Sequence, residues 1–293
     1  MKYLLAQPAV LRMQWELDVV LTNIRSLDKT TPIVLLFTYH NPEVIDYIKK
    51  RYEGLEIHVY SDEREKRGYI PAVRPYLWWR YLSADPAREN ETYLQIDSDI
   101  IFREKLDFGL FAETGKKSWI SDCSGYISAA YIESCRNGLE IIERLSHIVN
   151  LPVEVLRNIP GGGAQWVIAK PTAQLMWHTW QDCDLFYEYL TSVDSNIQAW
   201  TAEMWAQLYN LKKFGYEPEI SQELDFIMST NPVEDFEHVK ILHNAGVTGQ
   251  NTDLFYKGNP DYVSRTPFGD DFGYVNPQKA SIKYVQAINK VVQ

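Results

Sequence analysis

The sequence is short of several things, and each shortage removes a class of protein. Its 293 residues include three cysteines, Cys123, Cys135 and Cys183, with no Cys-x-x-Cys pair. An odd count without such pairs argues against a disulfide framework or a structural zinc site, and fits a reducing, cytoplasmic setting. No apolar run approaches the roughly 18 residues that a membrane span needs. The opening MKYLLAQPAVLRMQWEL is broken by Gln7, Pro8 and Arg12, so it reads as a first strand and not as a secretion signal. Basic residues are outnumbered, 29 Lys and Arg against 39 Asp and Glu, for a net charge of −10. That balance weakens any reading as a general nucleic-acid coat, which needs phosphate-neutralising surface. GxxxxGK[ST], HExxH, GxSxG and a complete GxGxxG are all missing, and the chemistries they mark have no signal here. There is no internal repeat, no low-complexity tract and no linker that divides the chain.

Strand and helix signals alternate through the first half. KYLLAQPAV reads as a strand and is followed by an amphipathic stretch from Arg12 to Leu27. PIVLLFTY is a continuous apolar run of the kind found in buried parallel strands. NPEVIDYIKKRYEG predicts a helix with Asn41 as cap, Pro42 at its first position and Gly54 just beyond its end. LEIHVYSDE reads as a third strand, IPAVRPYLWWRYLSAD as a helix and TYLQI as a fourth strand. Such alternation predicts an α/β fold: a Rossmann-like, mostly parallel mixed sheet with helices on both faces. The second half is less regular. SWISDCSGYISAAYI reads as strand segments, NGLEIIERLSHIVNL as a helix, and IPGGGAQWVIAK as a glycine loop. Two helix candidates, a strand (HVKILHNAG) and a tail from Asn251 that wraps the surface complete the chain.

The fourth strand runs into YLQIDSDIIF, Tyr93 to Phe102, where Asp97 and Asp99 stand one residue apart between apolar runs. Carboxylates in such a setting are costly unless they are solvated or paired. Ligands of open α/β sheets bind beyond the carboxyl ends of strands, where this pair lies. Two hard oxygen donors at one turn suit a divalent cation bridged to a diphosphate. A solvated, capped turn is the plain alternative.

The apolar strand, Asp-Ser-Asp, then Ile100-Ile101-Phe102 resembles the D-x-D element of GT-A glycosyltransferases. That resemblance implies Mn²⁺ or Mg²⁺ on the diphosphate of a nucleotide-sugar, with Asp99 as the firmer ligand and Asp97 as its companion. KILHNAGV, Lys240 to Val247, is similar to the His-x-x-Gly segment of retaining enzymes of the glycogenin and lipopolysaccharide galactosyltransferase type. It implies that His243 completes the metal shell and favours retention of anomeric configuration, while Glu203, at a point comparable to the base of inverting enzymes of this fold, leaves inversion open. Those relatives follow the motif closely with Lys-Pro-Trp; this chain has Lys257, in FYKGNP, as its next lysine. The resemblance places Lys257, Arg74 and Arg80 near the diphosphate or donor sugar. It places Asp62 on the uracil of a UDP-sugar, with Gln7 and Pro8 beside the same base. Gly162, Gly163 and Gln165 fall at the donor-sugar and acceptor floor, and Glu203 and Asp182 are further candidates for catalysis. The domain reading is one two-lobed unit over 1–293: a nucleotide-sugar half to about 115, an acceptor-side half over about 116–240, and a metal-completing strand and tail over about 241–293.

The acceptor is open between a glycan, a protein and a hydroxymethylated base in phage DNA. Trp166, Trp200 and Trp205 are candidates to stack on it. Two rivals stand beside the transferase. A phosphohydrolase of the haloacid-dehalogenase kind also uses two aspartates one residue apart. A non-catalytic sugar-binding protein would use the aromatics alone.

Overall fold

The computed structural model describes residues 1–111 and 116–292. The expected boundary near 115 lies outside the described residues.

Five units of the first half alternate as the apolar pattern predicts: β1 (Lys2–Pro8), α1 (Leu11–Leu27), β2 (Ile33–Thr38), α2 (Pro42–Arg51) and β3 (Glu56–Tyr60). The Asn41 side chain accepts the N–H of Glu43 at 2.9 Å, and Pro42 fills the first helical position, where no amide donor is missed. α3 (Val73–Ala84) leads to β4 (Thr92–Gln95) and the short β5 (Ile100–Phe102). Then come β6 (Lys117–Asp122), α4 (Ala129–Ser134), α5 (Gly138–Val149) and α6 (Val153–Arg157). β7 (Gly162–Ala169), α7 (Ala173–Ser192), α8 (Ala202–Lys213), β8 (Glu217–Ile220), β9 (Phe226–Met228), β10 (Ile241–His243) and α9 (Ser281–Val291) follow.

The main sheet has strand order β3-β2-β1-β4-β7-β6-β8. β3, β2, β1 and β4 are parallel, and β7 runs antiparallel between β4 and β6. Every residue of β2 is buried, as a strand covered on both faces requires. Alternate residues face opposite cores. Leu4, Ala6, Val34 and Leu36 pack with α3, α5, α7 and α8, while Tyr3, Leu5, Leu35 and Phe37 pack with α1 and α2. The expected mixed sheet with helices on both faces is therefore present.

Three expectations are corrected. IPGGGAQWVIAK holds the eight-residue buried strand β7 and not a loop. Its glycines relieve crowding from neighbours: a Cβ on Gly162 would lie 2.3 Å from Ile120 Cδ1, and one on Gly163 2.4 Å from Met204 Cε. They sit where the β6–β7 register slips between Ile120 and Ser121, a bulge that glycine accommodates. The stretch after β6 forms α4, with the Ser128 side chain accepting the Tyr131 N–H at 3.1 Å, in place of further strand. The tail ends in α9, whose Tyr284, Val285 and Ile288 are buried in a third core with Trp15 and Val19 of α1. All three cysteines are free and buried, and no helix among the described residues is long and apolar enough to cross a membrane.

A second, three-stranded sheet, β5-β10-β9, sits below the end of β4. β5 pairs antiparallel with β10, placing His243 opposite Ile100. Asn23 of α1 closes the backbone of β5: its Oδ1 accepts the Phe102 N–H at 2.7 Å, and its Nδ2 donates to the Phe102 carbonyl at 2.9 Å.

Candidate active site

Between β4 and β5 the chain turns through Asp97, Ser98 and Asp99, and three contacts fix the turn. The Ile96 N–H donates to the Leu4 carbonyl at 3.1 Å, and the Asn244 N–H donates to the Asp99 carbonyl at 2.8 Å. The Ser98 hydroxyl donates to Glu16 Oε2 at 2.7 Å. With the backbone held, both aspartate side chains meet His243 from β10. His243 Nε2 lies 3.2 Å from Asp99 Oδ1 and 3.5 Å from Asp97 Oδ2. One donor atom from each of the three falls within 4.8 Å of the others, the one such grouping of three among the described residues.

Cations surround this cluster. Lys257 pairs with Asp99. Arg74, at the start of α3, pairs with Asp97 and reaches Glu203 Oε2 at 3.2 Å. Burial pushes the Asp99 carboxyl up, but Lys257 and His243 outweigh it and hold the group well below the usual carboxylate range. For His243 burial works downward, while Asp99 and Asp97 prevail and raise the imidazole. Two carboxylates and an imidazole are a suitable donor set for Mn²⁺ or Mg²⁺, and the nitrogen suits Mn²⁺ better. The residues fit such an ion: its charge would take over the neutralisation that Lys257 and Arg74 provide here.

Glu203, on α8, is buried, and its Oε1 has no hydrogen-bond partner. Burial pushes its carboxyl up to about 7, with Arg74 opposing the rise and Asp97 adding to it. The folded protein thus keeps a proton that the unfolded chain releases above about 4.5. Stability from this group falls as pH rises between those two values. Glu203→Gln is expected to raise Tm by roughly 2–4 °C at pH 8 and to leave it unchanged near pH 4, read by differential scanning calorimetry. The same shift at both pH values would remove ionisation as its cause.

The cluster opens into a cavity of about 710 Å³. Gln7, Pro8, Arg74, Asp97, Asp99, His243 and Lys257 all line it. The Gln7 side-chain nitrogen is buried and has no hydrogen-bond partner. Of the other expected residues, Trp200 also lines it, and the rest lie off its walls. Asp62 is held by the Arg64 guanidinium at 3.0 Å. Arg80 pairs with Glu63 at 2.9 Å and lies over the rings of Tyr60, Tyr76 and Trp79. Gly162 and Gly163 are covered by protein, and the fully buried Gln165 accepts the Ser121 hydroxyl at 2.5 Å. Asp182 accepts from Asn210 at 2.8 Å between α7 and α8. Trp166 and Trp205 are buried in the core, so neither can stack on a ligand; Trp200 is open.

Sequence reasoning missed Glu16, Arg12, His40 and Ile70 on the cavity wall. Glu16 had one legible signal. It is an acid beside Trp15 on the apolar side of α1, and it is buried.

No protein-family profile matches the chain, nor does any curated protein. Solved structures do match. With its mixed sheet and strand-end acidic cluster, the chain has the GT-A fold, and two glycosyltransferase structures resemble it. One is the galactosyltransferase LgtC in complex with donor and acceptor sugar analogues: TM-score 0.52, 10% identity, covering 100% of this chain and 97% of that one. The other is the apo structure of the bifunctional glycosyltransferase WbbM: TM-score 0.50, 11% identity, covering 85% of this chain. The match spans only 46% of the WbbM chain, so less than half of that protein has a counterpart here.

Proposed function

We propose that the protein is a metal-dependent glycosyltransferase that moves a sugar from a nucleotide-sugar, a UDP-sugar as the favoured donor, to an acceptor hydroxyl with retention of configuration. The observation that carries this reading is the meeting of Asp97, Asp99 and His243 at the carboxyl end of β4 in a GT-A sheet. Asp97, Asp99 and His243 would hold Mn²⁺ or Mg²⁺, which when bound supplies positive charge against the departing nucleoside diphosphate. The protein's own groups do the rest. Lys257 and Arg74, paired here with Asp99 and Asp97, are the cations that would turn to the phosphates once a metal ion takes over those carboxylates. Gln7 and Pro8 flank the base, and the free amide nitrogen of Gln7 is a donor for one of its carbonyls. Glu203 fixes Arg74 from behind.

The same reading assigns the three chain segments their roles. Residues to about 115 bind the donor, about 116–240 form the acceptor side, and about 241–293 contribute His243 and Lys257. A phosphohydrolase finds less support. The acid pair follows the fourth strand of a GT-A sheet, and His243 joins it from β10.

The direct test is incubation with a panel of nucleotide-sugars and Mn²⁺, scoring release of nucleoside diphosphate and of inorganic phosphate. Diphosphate release that stops with EDTA supports the transferase, and phosphate release without nucleotide specificity supports the hydrolase. His243→Ala is expected to raise the Mn²⁺ concentration for half-maximal activity by about 10- to 100-fold. An unchanged requirement would remove His243 from the shell.

A further inference from the structure

A transferase needs a second substrate, and one wall of the cavity is unused by the donor chemistry. Trp200, in the turn Ala199–Thr201, lines the same cavity as Asp97, Asp99 and His243, yet 59% of its surface is exposed. An indole left this open forgoes hydrophobic stabilisation. It is nevertheless held firmly. Its Nε1–H donates to Gln198 Oε1 at 3.1 Å, and its ring stacks on Tyr126 with centroids 6.4 Å apart and planes 28° apart. The Tyr69 hydroxyl donates to the Trp200 carbonyl and accepts the Glu203 N–H at 3.2 Å. Tyr69 in turn stacks on Tyr187 at 4.0 Å. The one polar atom of the indole is therefore engaged, and what it offers outward is a rigid apolar face.

The sheet order says which flanks of the cluster hold this face. β4 carries the acidic turn, with β1 on one flank and β7 and then β6 on the other. Gln7 and Pro8 end β1, whereas Tyr126, which backs Trp200, follows β6. Trp200 is thus backed by Tyr126 from the β6 flank, while Tyr69, which follows β3, holds its carbonyl from the other.

We infer that Trp200 is a stacking platform for a pyranose ring, so that the acceptor is a carbohydrate. Calling that sugar the acceptor rests on the transferase reading above. The apolar C–H face of a pyranose matches a flat, preformed aromatic surface that adds no polar contact of its own. An extruded DNA base would also stack, but nucleic-acid affinity comes chiefly from phosphate contacts. Ile70 and Val263, exposed on the cavity rim with Trp200, are apolar, His40 is the exposed polar residue of the lining, and a net charge of −10 works against phosphate contacts beyond the site.

The test uses methyl glucopyranoside, methyl galactopyranoside and methyl mannopyranoside as probes in saturation-transfer NMR on the full chain, with wild type, Trp200→Ala and Trp200→Phe compared. At least one glycoside is expected to receive saturation mainly on the protons of one ring face. Trp200→Ala should weaken its affinity about tenfold, and Trp200→Phe should retain most of it. With a working donor, the acceptor KM should rise by the same factor in Trp200→Ala. Binding of no glycoside to wild type, or equal binding to Trp200→Ala, overturns the platform. So does a matching loss of UDP affinity in Trp200→Ala, which would place the ring on the nucleotide, or transfer to hydroxymethylated duplex DNA and to no sugar. Trp200-dependent glycoside binding by a wild type that binds no nucleotide would sustain the platform and sink the transferase reading.

Discussion

Asp99→Ala is expected to lower sugar transfer by about a thousandfold and to abolish the Mn²⁺-dependent part of UDP binding. The size of the effect follows from the position of Asp99. It is 4% exposed and faces both His243 and Lys257, so its carboxylate is a fixed donor of the cluster. Removing it also leaves the Lys257 ammonium without its carboxylate. Breaking one partner of a fully buried pair costs about 3–5 kcal/mol. Here the Lys257 side chain is 25% exposed and can rehydrate, so a loss nearer about 1–3 kcal/mol is expected. Calorimetric titration of UDP with and without Mn²⁺, alongside a thermal melt, separates the two effects. Asp99→Asn should spare stability while losing metal affinity. Full turnover in a folded Asp99→Ala protein would end the site assignment.

Lys257→Ala is expected to move two quantities in opposite directions. Without nucleotide, Lys257 neutralises Asp99, and an incoming cation must displace it. Removing the lysine should tighten direct Mn²⁺ binding several-fold, because the buried Asp99 and Glu16 carboxylates lose their shared positive neighbour. Transfer should nevertheless fall about a hundredfold, because the departing diphosphate has lost a cation. Mn²⁺ titration by calorimetry in the absence of nucleotide reads the first effect, and initial rates at saturating metal read the second. If affinity and rate fall together, Lys257 holds the turn together and does not serve the phosphate.

The fold was legible wherever local chemistry repeats. The apolar run of β2 and the Asn41-Pro42 start of α2 each carried their own signal, and the acidic pair was visible because charge is rare between buried strands. What failed did so for identifiable reasons. Gly161 to Gly163 looked like a loop because glycine frees the backbone. At Gly162 and Gly163 the glycines are there because Ile120 and Met204 occupy the space a side chain would need, a fact held by distant residues. α9 was hidden by the Gly- and Pro-rich stretch before it. In the site, His243 and Lys257 were found by resemblance, since nothing local marks a histidine or lysine as facing two acids. Glu16 was missed because its partner, Ser98, is 82 residues away. Trp166, Trp200 and Trp205 look alike in sequence, and only packing separates two core residues from one exposed ring.

The small sheet β5-β10-β9 has a consequence for how the protein is made. Lys257 and Asp99 are 158 residues apart, so their meeting is among the slowest loop closures available to the chain. The seven strands of the main sheet are all synthesised by Ile220, before β9 and β10 exist. A nascent chain at that stage can settle its central strands around an acidic turn in which Arg74 faces Asp97 but Asp99 still lacks Lys257. The third donor, His243, is then added only after the main sheet is complete, and an intermediate that lacks β10 holds the acid pair alone.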